Sequence, residues 1–487
     1  MPAPRSRASR ARRFRTRAAA IGAALAASAL PVERSLAQLP AVGATVRPPV
    51  RTTPDSLGSV TLENGLQLFV VENHSIPLAT AKLVVRTGAM AQPDDEQGVP
   101  HLFEHMLFKG YRGGGGRLFG HEAAALQAGY NGTTAEELVT YYVTLPSGGT
   151  ESGIRLLANL VRDAQFRDED LHTERFVVLG EMQRDNSEPQ DLLRRTVAEE
   201  LWGAGWPRKN TIGDATALLG VTPKRLSEIY GRYYVPNNAA LVVTGDVSTR
   251  AVVDAARRHF GSWKRRPDPF AASPVAPMPP LDSSRGVVLT GDVGAVTVWM
   301  QWRGPSVRDD AGATYDADVL SDVVNDEESE LTRRLVHEGP FQSAQLWYQT
   351  LVHTGPITFT GVTTVEQLPS ALSALSAELF MMQADSYFEA PALATAAKRR
   401  RVAQSFERED GVNLAHSLAY AWAVTSLPYH ASYADSLATR RPADLTRFVR
   451  RYLAGRPFVL GLLVPPSREQ AAAAMVKQFI EFSQEVR

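Results

Sequence analysis

The residues best suited to catalysis or metal binding lie in one short run, His101-Leu-Phe-Glu104-His105. In a helix, residues at i, i+3 and i+4 are neighbours on one face, so His101, Glu104 and His105 would project together. Two imidazoles one turn apart can hold one Zn²⁺, and the carboxylate between them can act on water at the metal without being a ligand. The alternative is a helix whose polar face carries two histidines by chance.

A catalytic zinc site needs a third protein ligand and one open position. The chain has no cysteine, which excludes a thiolate ligand, a thiol nucleophile and a disulfide framework. Two acids in a second predicted helix, residues 168–186, are candidates, because Glu174 and Glu181 lie two turns apart on one helical face. Their spacing alone does not decide which of them is the ligand.

The segments around these residues predict a mixture of strands and helices. Asn64-Gly65 between two apolar runs predicts a hairpin, and strand-like runs follow at 79–86, 138–145 and 239–244. Predicted helices lie between them, at 97–108, 151–163, 168–186, 190–203 and 222–233. Strands grouped with successive helices favour an α+β fold, with a mostly antiparallel sheet and helices packed on one face.

This plan is predicted to occur twice, in two homologous domains. Five residues recur at a constant offset of 442 − 223 = 219: Pro223, Leu226, Tyr233, Leu241 and Ser248 match Pro442, Leu445, Tyr452, Leu460 and Ser467. A segment rich in proline divides the copies. We therefore expect an N-terminal zinc-binding domain at 59–263, a linker at 264–286, and a C-terminal homologous domain at 287–487 that lacks the zinc motif.

The run from His101 to Gly110 closely resembles the inverted zinc motif of the pitrilysin and mitochondrial-processing-peptidase family, and the resemblance covers nearly the whole chain after residue 37. It implies a zinc-dependent endopeptidase that hydrolyses peptides or unfolded polypeptides in a closed chamber. The implied metal ligands are His101, His105 and Glu181, with Glu174 as a supporting acid. Glu104 would accept a proton from water and pass it to the leaving amine.

A second segment, Gly129 to Thr134, resembles the family's G-x-x-N-A-x-T edge strand, with Gly132 in place of alanine. An edge strand can bind a peptide as an additional strand through backbone hydrogen bonds. We therefore expect Asn131, Gly132 and Thr133 to contact substrate. The alternative for Asn131 and Gly132 is a plain turn.

The second half departs from the family pattern. Active members carry there an arginine and a tyrosine that reach the substrate, but Val336 and Gln342 occupy those places, and only Arg333 and Arg334 lie near. Neither Val336 nor Gln342 supplies a guanidinium or a phenol. We therefore expect a heterodimer in which a homologous second subunit provides both groups. A homodimer with a differently built site is one alternative, and a non-catalytic peptide-binding or scaffold protein of the same fold is another.

The first 37 residues predict a cleaved secretory signal. They hold eight arginines and one acid, Glu33. Seven of the arginines precede an apolar run from Ala18 to Leu30, and a small-x-small step follows at Ser35-Leu36-Ala37. The run of 13 residues is shorter than the roughly 20 that a membrane span requires. A mitochondrial transit peptide is the alternative. We expect a lead-in at 38–58, a periplasmic or secreted protein, or alternatively a matrix protein, and no membrane span.

The overall charge argues against a nucleic-acid-binding protein. Fifty-two Lys and Arg residues balance fifty-two Asp and Glu residues, so the chain carries no net positive charge that could attract phosphates.

Overall fold

The computed structural model describes residues 57–111, 118–271 and 274–485. The expected signal segment, residues 1–37, lies outside these ranges. The expected lead-in at 38–58 also lies outside them, except for Leu57 and Gly58, which already belong to the first strand.

The first half forms one six-stranded sheet in the order β1-β2-β6-β3-β5-β4. Its strands are β1 (Leu57–Thr61), β2 (Gln67–Glu72), β3 (Leu78–Val85), β4 (Gly129–Thr134), β5 (Val139–Pro146) and β6 (Ala239–Gly245). Its helices are α1 (Val99–Leu107), α2 (Phe119–Ala125), α3 (Thr150–Arg162), α4 (Asp168–Ser187), α5 (Pro189–Trp202), α6 (Ala215–Gly220), α7 (Pro223–Tyr233) and α8 (Thr249–Phe260). All neighbouring strands are antiparallel except β2 and β6.

The second half forms a five-stranded sheet in the order β7-β11-β8-β10-β9. Its strands are β7 (Arg285–Thr290), β8 (Val296–Arg303), β9 (Phe341–Tyr348), β10 (Pro356–Thr363) and β11 (Phe458–Val464). Its helices are α9 (Val307–Val324), α10 (Glu330–Thr332), α11 (Leu368–Met381), α12 (Ala390–Glu409), α13 (Gly411–Val424), α14 (Leu427–Ala431), α15 (Tyr433–Ala438), α16 (Pro442–Tyr452) and α17 (Glu469–Glu485). A π-helical turn, Arg333–His337, follows α10.

The two sheets repeat one pattern, which confirms the predicted α+β fold of two similar, mostly antiparallel sheets. In each sheet one pair of strands is parallel, β2 with β6 and β7 with β11. The strand β6 begins at Ala239 and β11 at Phe458, which are 458 − 239 = 219 residues apart. The end of the expected linker at 264–286 overlaps the strand β7, which begins at Arg285.

The two halves exchange one helix each, so each sheet is covered on both faces. Along β3, Ala81 and Leu83 pack with the helices of the first half, while Val84 packs with α13 of the second half. On the second sheet, Val459 and Leu463 of β11 pack against α5 of the first half. The prediction of helices on one face is therefore incomplete: the opposite face carries a helix from the other half. All described residues accordingly belong to one compact unit.

No helix within the described ranges is both long enough and apolar enough to cross a membrane.

A buried lysine lies under the exchanged helix α13. Lys82 points to the α13 face of β3 and is 2% exposed. Its Nζ donates to Oγ1 of Thr140 at 3.0 Å and lies 2.9 Å from Nδ1 of His416 on α13. Burial lowers the pKa of Lys82 to about 7, and burial followed by the charge of Lys82 lowers the pKa of His416 to about 4. The lysine therefore lacks a carboxylate partner among these contacts, and its charged form is poorly solvated.

This lysine should make stability depend on pH. Its folded-state pKa lies below its unfolded value, so unfolded chains bind more protons between pH 7 and about 10.5 and the free energy of unfolding rises with pH across that window. From pH 7 to 9 the expected gain from Lys82 is about 2 kcal/mol. Urea unfolding at both pH values should show that Lys82→Met loses this gain, while substitution of the exposed Lys224 retains it. Equal pH dependence in both variants would contradict the prediction.

Candidate metal and catalytic site

The helix α1 carries the H-x-x-E-H motif at a closely packed helix start. Gly98, just before α1, has φ of 86°, and a Cβ there would lie 2.6 Å from Cα of Gly213, so a side chain would not fit. The apolar residues of α1, among them Leu102, Phe103 and Met106, are buried in the first core. This packing fixes the rotation of α1 and turns His101, Glu104 and His105 toward α4 and β4.

The two acids of α4 meet His105 on opposite sides of its ring. Oε2 of Glu181 lies 3.7 Å from Nε2 of His101 and 3.6 Å from Nε2 of His105. Oε2 of Glu174 lies instead 3.1 Å from Nδ1 of His105. Glu174 is buried and forms an ion pair with Lys109. The geometry therefore separates the two acids that helical spacing left equivalent.

The donor set fits a zinc ion. Ligand atoms of His101, His105 and Glu181 all lie within 4.8 Å of one another, and two imidazoles with one carboxylate are a common catalytic zinc set. Burial, followed by the charge of His105, lowers the pKa of His101 to about 4, which favours the neutral imidazole that a metal requires. Nδ1 of His101 is buried without a hydrogen-bond partner among the described residues, whereas Nδ1 of His105 has Glu174.

Glu104 lies in the same site but contacts a different element. Its Oε2 accepts a hydrogen bond of 2.7 Å from Oγ1 of Thr134, at the end of β4. Glu104 is 9% exposed. Burial raises the pKa of its carboxyl group, and the hydrogen bond from Thr134 acts in the opposite direction. Thr134 has no role in the sequence-based prediction, because the hydroxyl lies 30 residues from Glu104 along the chain.

The segment expected to bind substrate is the edge strand β4 rather than a turn. Asn131 pairs with Tyr142, Gly132 with Tyr141 and Thr133 with Thr140, all on β5. Among the described residues, β5 is the only strand beside β4, so the second edge of β4 has backbone groups without a strand partner. On β4 itself, the backbone N–H of Gly132 donates to Oδ1 of Asn131 at 2.9 Å. Contact of Asn131, Gly132 and Thr133 with a peptide remains a prediction.

Gly132 lies directly against Glu104. A Cβ built on Gly132 would lie 2.6 Å from Oε1 and 2.8 Å from Cγ of Glu104. Both distances are shorter than van der Waals contact, so the alanine of the family pattern would not fit beside this position of the carboxylate. The glycine therefore permits the observed approach of β4 to the motif glutamate.

We expect Gly132→Ala to displace Glu104 and to lower kcat/KM for peptide cleavage by about 10- to 100-fold, because small shifts of a reacting group are costly. Zinc content should be unchanged, since Glu104 is not among the three ligand candidates. Gly129→Ala is the control on the same strand, because a methyl group there meets nothing within 4 Å. Similar kcat/KM values for the two variants would contradict the prediction.

Residues of the second half form hydrogen bonds to the turn that follows β4 in the first half. Glu137 is 1% exposed and accepts hydrogen bonds from the backbone N–H groups of Val352 at 2.6 Å and His353 at 3.0 Å. Oε2 of Glu136 accepts a bond of 3.1 Å from Nε2 of Gln349. The loop of the second half at 349–353 therefore fixes one end of the edge strand. Sequence reasoning missed this contact, and two adjacent glutamates offered no signal for it.

Arg333 and Arg334, the two arginines near Val336, form ion pairs within the second half. Arg333 pairs with Glu330 and Glu338, and Arg334 pairs with Glu330 and Glu378. All of these partners belong to the second half. Within the described part of the chain, the ion pairs of both arginines therefore stay inside the second half.

The two residues that take the places of the family's arginine and tyrosine also lie in the second half. Val336 packs against the core of that half, and Gln342 is exposed on β9.

A cavity of about 270 Å³ lies beside His101, between the two halves. We name it the inter-half cavity. Its first-half wall includes Trp202 and Trp206, and its second-half wall includes Trp299 and Trp347. Residues from both halves therefore line a space that reaches His101, one of the three metal-ligand candidates.

Two family models match the chain. Residues 68–214 match the insulinase family, peptidase family M16, and residues 220–395 match the M16 inactive domain. The second match fits the absence of a zinc motif in the second half.

Curated relatives are 24% to 27% identical to the chain over the aligned residues. An uncharacterized zinc protease of Rickettsia felis is 24% identical over 204 residues, which are 42% of this chain and 50% of that protein. The probable zinc protease PqqL of Haemophilus influenzae is 27% identical over 207 residues, 41% of this chain and 22% of that protein. A probable mitochondrial-processing peptidase subunit beta of Arabidopsis thaliana is 24% identical over 213 residues, which are 44% of this chain and 40% of that protein. The matches span half or less of each relative.

Solved structures share the fold over most of the chain. A protease from Helicobacter pylori superposes with a TM-score of 0.76 at 20% identity, covering 84% of this chain and 99% of that one. The periplasmic protease PqqL from Escherichia coli gives a TM-score of 0.74 at 17% identity, covering 88% of this chain and 50% of that one. With both family models matched in order and the two-sheet fold shared, the chain belongs to the insulinase family, peptidase family M16, as a pitrilysin-like member.

Proposed function

We propose that the chain is a zinc-dependent endopeptidase with His101, His105 and Glu181 as metal ligands and Glu104 as the catalytic acid and base. The observation that carries this proposal is the convergence of Nε2 of both histidines on one oxygen of Glu181, at 3.7 and 3.6 Å, with Glu104 on the same helix face. Relatives named zinc protease support the same chemistry.

The residues divide the reaction between them. A bound Zn²⁺ would supply Lewis acidity, which acidifies water and polarises the scissile carbonyl. Glu104 takes the proton from water and delivers it to the leaving amine. Thr134 holds Oε2 of Glu104, which leaves Oε1 for proton transfer. Glu174 orients His105 through Nδ1, and Lys109 neutralises Glu174.

The substrate is a peptide or unfolded polypeptide bound in extended form. The free edge of β4 offers backbone N–H and C=O groups to an added strand, with little demand on sequence. Because Thr134 ends β4 and contacts Glu104, a peptide on this edge would run past the catalytic carboxylate. The hydrogen bonds of Glu137 to the second half keep this edge in place.

A homologous second subunit completes the enzyme, as a heterodimer that encloses the substrate in a chamber. Val336 and Gln342 leave the chain without the arginine and tyrosine of the family pattern, and Arg333 and Arg334 pair with acids of their own half. The chain covers only half of the E. coli PqqL structure, as expected for one half of a larger enclosure. The relative from Arabidopsis thaliana is named as the probable beta subunit of a mitochondrial-processing peptidase.

The protein acts in the periplasm, or outside the cell, after removal of residues 1–37. The basic, apolar and small residues of that segment support export, and one structural relative is a periplasmic protease. Mass spectrometry of the N-terminus from a periplasmic fraction tests this directly. An intact N-terminus in the cytoplasm would contradict export.

Metal removal is the primary test of the reaction. The purified protein should hold about one zinc ion per chain by elemental analysis. A chelator should abolish its cleavage of an internally quenched peptide. Added Zn²⁺ should restore cleavage to the starting rate, because all ligand candidates come from this chain. Full cleavage by a metal-free preparation would refute the zinc mechanism.

The same assay tests the two-subunit proposal. The chain alone should bind zinc but cleave slowly, and addition of a homologous chain that carries the arginine and tyrosine should raise kcat. Native mass spectrometry would identify the complex. Maximal cleavage by the chain alone would refute the heterodimer, and zinc binding without cleavage in any mixture would favour the non-catalytic alternative.

A further inference from the structure

One loop of the second half contacts two separate segments of the first half. Residues 349–355 form this loop, which joins β9 to β10 and is called here the β9–β10 loop. The backbone N–H groups of Gly304 and Val307 donate to the carbonyl oxygens of Gly355 and Leu351 at 2.8 and 2.9 Å. These bonds fix the loop to its own half, so a segment that binds to the loop is fixed to the second half as well.

The first contact of the loop is with the turn that follows β4. Glu137 accepts hydrogen bonds from the N–H groups of Val352 and His353, and Nδ1 of His353 lies 2.8 Å from its Oε1. The turn directly follows Thr134, whose hydroxyl donates to Oε2 of Glu104. A displacement of the turn would therefore move the hydrogen-bond partner of the motif glutamate.

The second contact is with a segment that supports the start of α1. Nζ of Lys209 donates to the carbonyl oxygen of Thr354 at 2.7 Å. Nε2 of Gln92 donates to the carbonyl oxygen of Asn210 at 2.8 Å, and Oε1 of Gln92 accepts a bond of 2.9 Å from the N–H of Gly98. Gly98 directly precedes α1. The loop is thus connected to both elements that carry or contact Glu104.

The two contacts bury charges of opposite sign. Glu137 is 1% exposed and Lys209 is 7% exposed. Burial acts to raise the pKa of Glu137, but the hydrogen bond with His353 and the charge of Lys209 outweigh it, so the pKa lies below its ordinary value. Burial lowers the pKa of Lys209, and the charges of Glu136 and Glu137 oppose this effect. Because a buried charge is costly without partners, these contacts favour one position of the loop.

We propose that Glu137 and Lys209 are positioning residues, through which the β9–β10 loop holds the edge strand β4 and the start of α1 in a fixed relation. Glu104 on α1 and a peptide on β4 must meet at one bond, and a misplacement of about 1 Å can cost about 100-fold in rate. Lys209 and Gln349 also line the inter-half cavity, so the loop borders the space that reaches α1. The expected effect on cleavage rests on the proposed peptidase function, whereas the effect on the geometry does not.

Glu137→Gln in the complete protein is the first test. The amide places an N–H₂ group against one of the backbone N–H donors, so one hydrogen bond is lost. KM for an extended peptide should rise about 5- to 10-fold at unchanged zinc content. Hydrogen exchange of residues 129–137 should become faster by about the same factor, while that of β2 stays unchanged. Unchanged KM and unchanged exchange would overturn the proposal.

A general loss of stability predicts a different result. Fewer folded molecules lower kcat and zinc content by the same factor and leave KM unchanged. The turn also keeps a hydrogen bond of 2.8 Å from the N–H of Met90 to the carbonyl oxygen of Glu136, so Glu137→Gln should loosen it without unfolding it. Parallel losses of kcat and zinc at constant KM would restrict Glu137 to stability and overturn its positioning role.

Two further variants test the loop from other sides. Lys209→Met removes one donor to the loop and should make hydrogen exchange of residues 92–98 about 5- to 10-fold faster. Gln349→Met removes the bond of 3.1 Å to Oε2 of Glu136, leaves both buried charges, and should raise KM about 2- to 5-fold. This variant decides the role of the loop if Glu137→Gln does not fold. No change in either variant would overturn the proposal.

Glu378→Gln is the matched control. Glu378 is also 1% exposed, but it lies on α11 and pairs with Arg334 of the second half. The same substitution there should leave KM and the hydrogen exchange of residues 129–137 as in the unchanged protein. Increases equal to those of Glu137→Gln would show a general effect of removing a buried charge and would overturn the positioning role.

Hydrogen exchange separates this proposal from the peptidase proposal, because it requires no turnover. Faster exchange in Glu137→Gln with no cleavage by the unchanged protein would support the positioning role and refute the peptidase. Cleavage with the same KM and the same exchange in both proteins would support the peptidase and refute the positioning role.

Discussion

Glu104→Gln should reduce kcat for peptide cleavage by about 10²- to 10⁴-fold while leaving zinc content unchanged. The amide has the size of the carboxylate and its oxygen can still accept the hydrogen bond from Thr134, so the local structure is retained. An amide does not accept a proton near neutral pH, so the transfer from water to the leaving amine loses its carrier. A steady-state assay with elemental analysis of the same preparation measures both quantities.

Stability should distinguish this effect from unfolding. Glu104 is nearly buried, and burial raises the pKa of its carboxyl group, which shows that the charged form is poorly solvated. A neutral amide relieves that cost, so the melting temperature of Glu104→Gln should equal or exceed that of the unchanged protein. A lower melting temperature together with lost zinc would place Glu104 in the metal site instead.

Glu122→Gln provides the matched control. Glu122 on α2 accepts a hydrogen bond of 2.6 Å from the hydroxyl of Tyr111, a contact similar to that of Glu104 with Thr134. It lies outside the group of metal-ligand candidates. Its substitution should change kcat less than twofold. Cleavage by Glu104→Gln at the rate of this control would refute the catalytic assignment.

Local spacing predicted the elements that carry the site better than it predicted their partners. The predicted helices at 97–108 and 168–186 correspond to α1 and α4 within about two residues at each end. Helix periodicity is a local property, so the common face of His101, Glu104 and His105 follows from their spacing. Spacing did not decide which of Glu174 and Glu181 is the third metal ligand, because that choice depends on the side of the His105 ring that each acid reaches.

The contacts between the halves were beyond the reach of sequence patterns. An apolar stripe on α5 or α13 indicates that the helix is buried, but not which sheet buries it. The exchange of these helices follows only from the complete fold, and the burial of Lys82 follows from that exchange. The hydrogen bonds of Glu137 to the loop at 349–353 join residues more than 200 positions apart, with no periodic signal.

The second large effect is expected at the third metal ligand. Glu181→Ala removes the only carboxylate within reach of Nε2 of both His101 and His105 among the described residues. Glu174→Gln leaves three ligands and weakens only the support of His105, which typically costs about 10- to 100-fold in metal affinity. Glu181→Ala should therefore lower zinc affinity by more than Glu174→Gln does, and it should abolish cleavage at limiting zinc.

Competition with a chromophoric chelator measures both affinities, and circular dichroism verifies that each variant is folded. Glu169→Ala is the control on the same helix, since its side chain is 75% exposed and lies in the first turn of α4. It should bind zinc as tightly as the unchanged protein. A greater loss of zinc affinity in Glu174→Gln than in Glu181→Ala would reverse the two roles, because the ligand whose removal costs more binding energy is the one that contacts the metal directly.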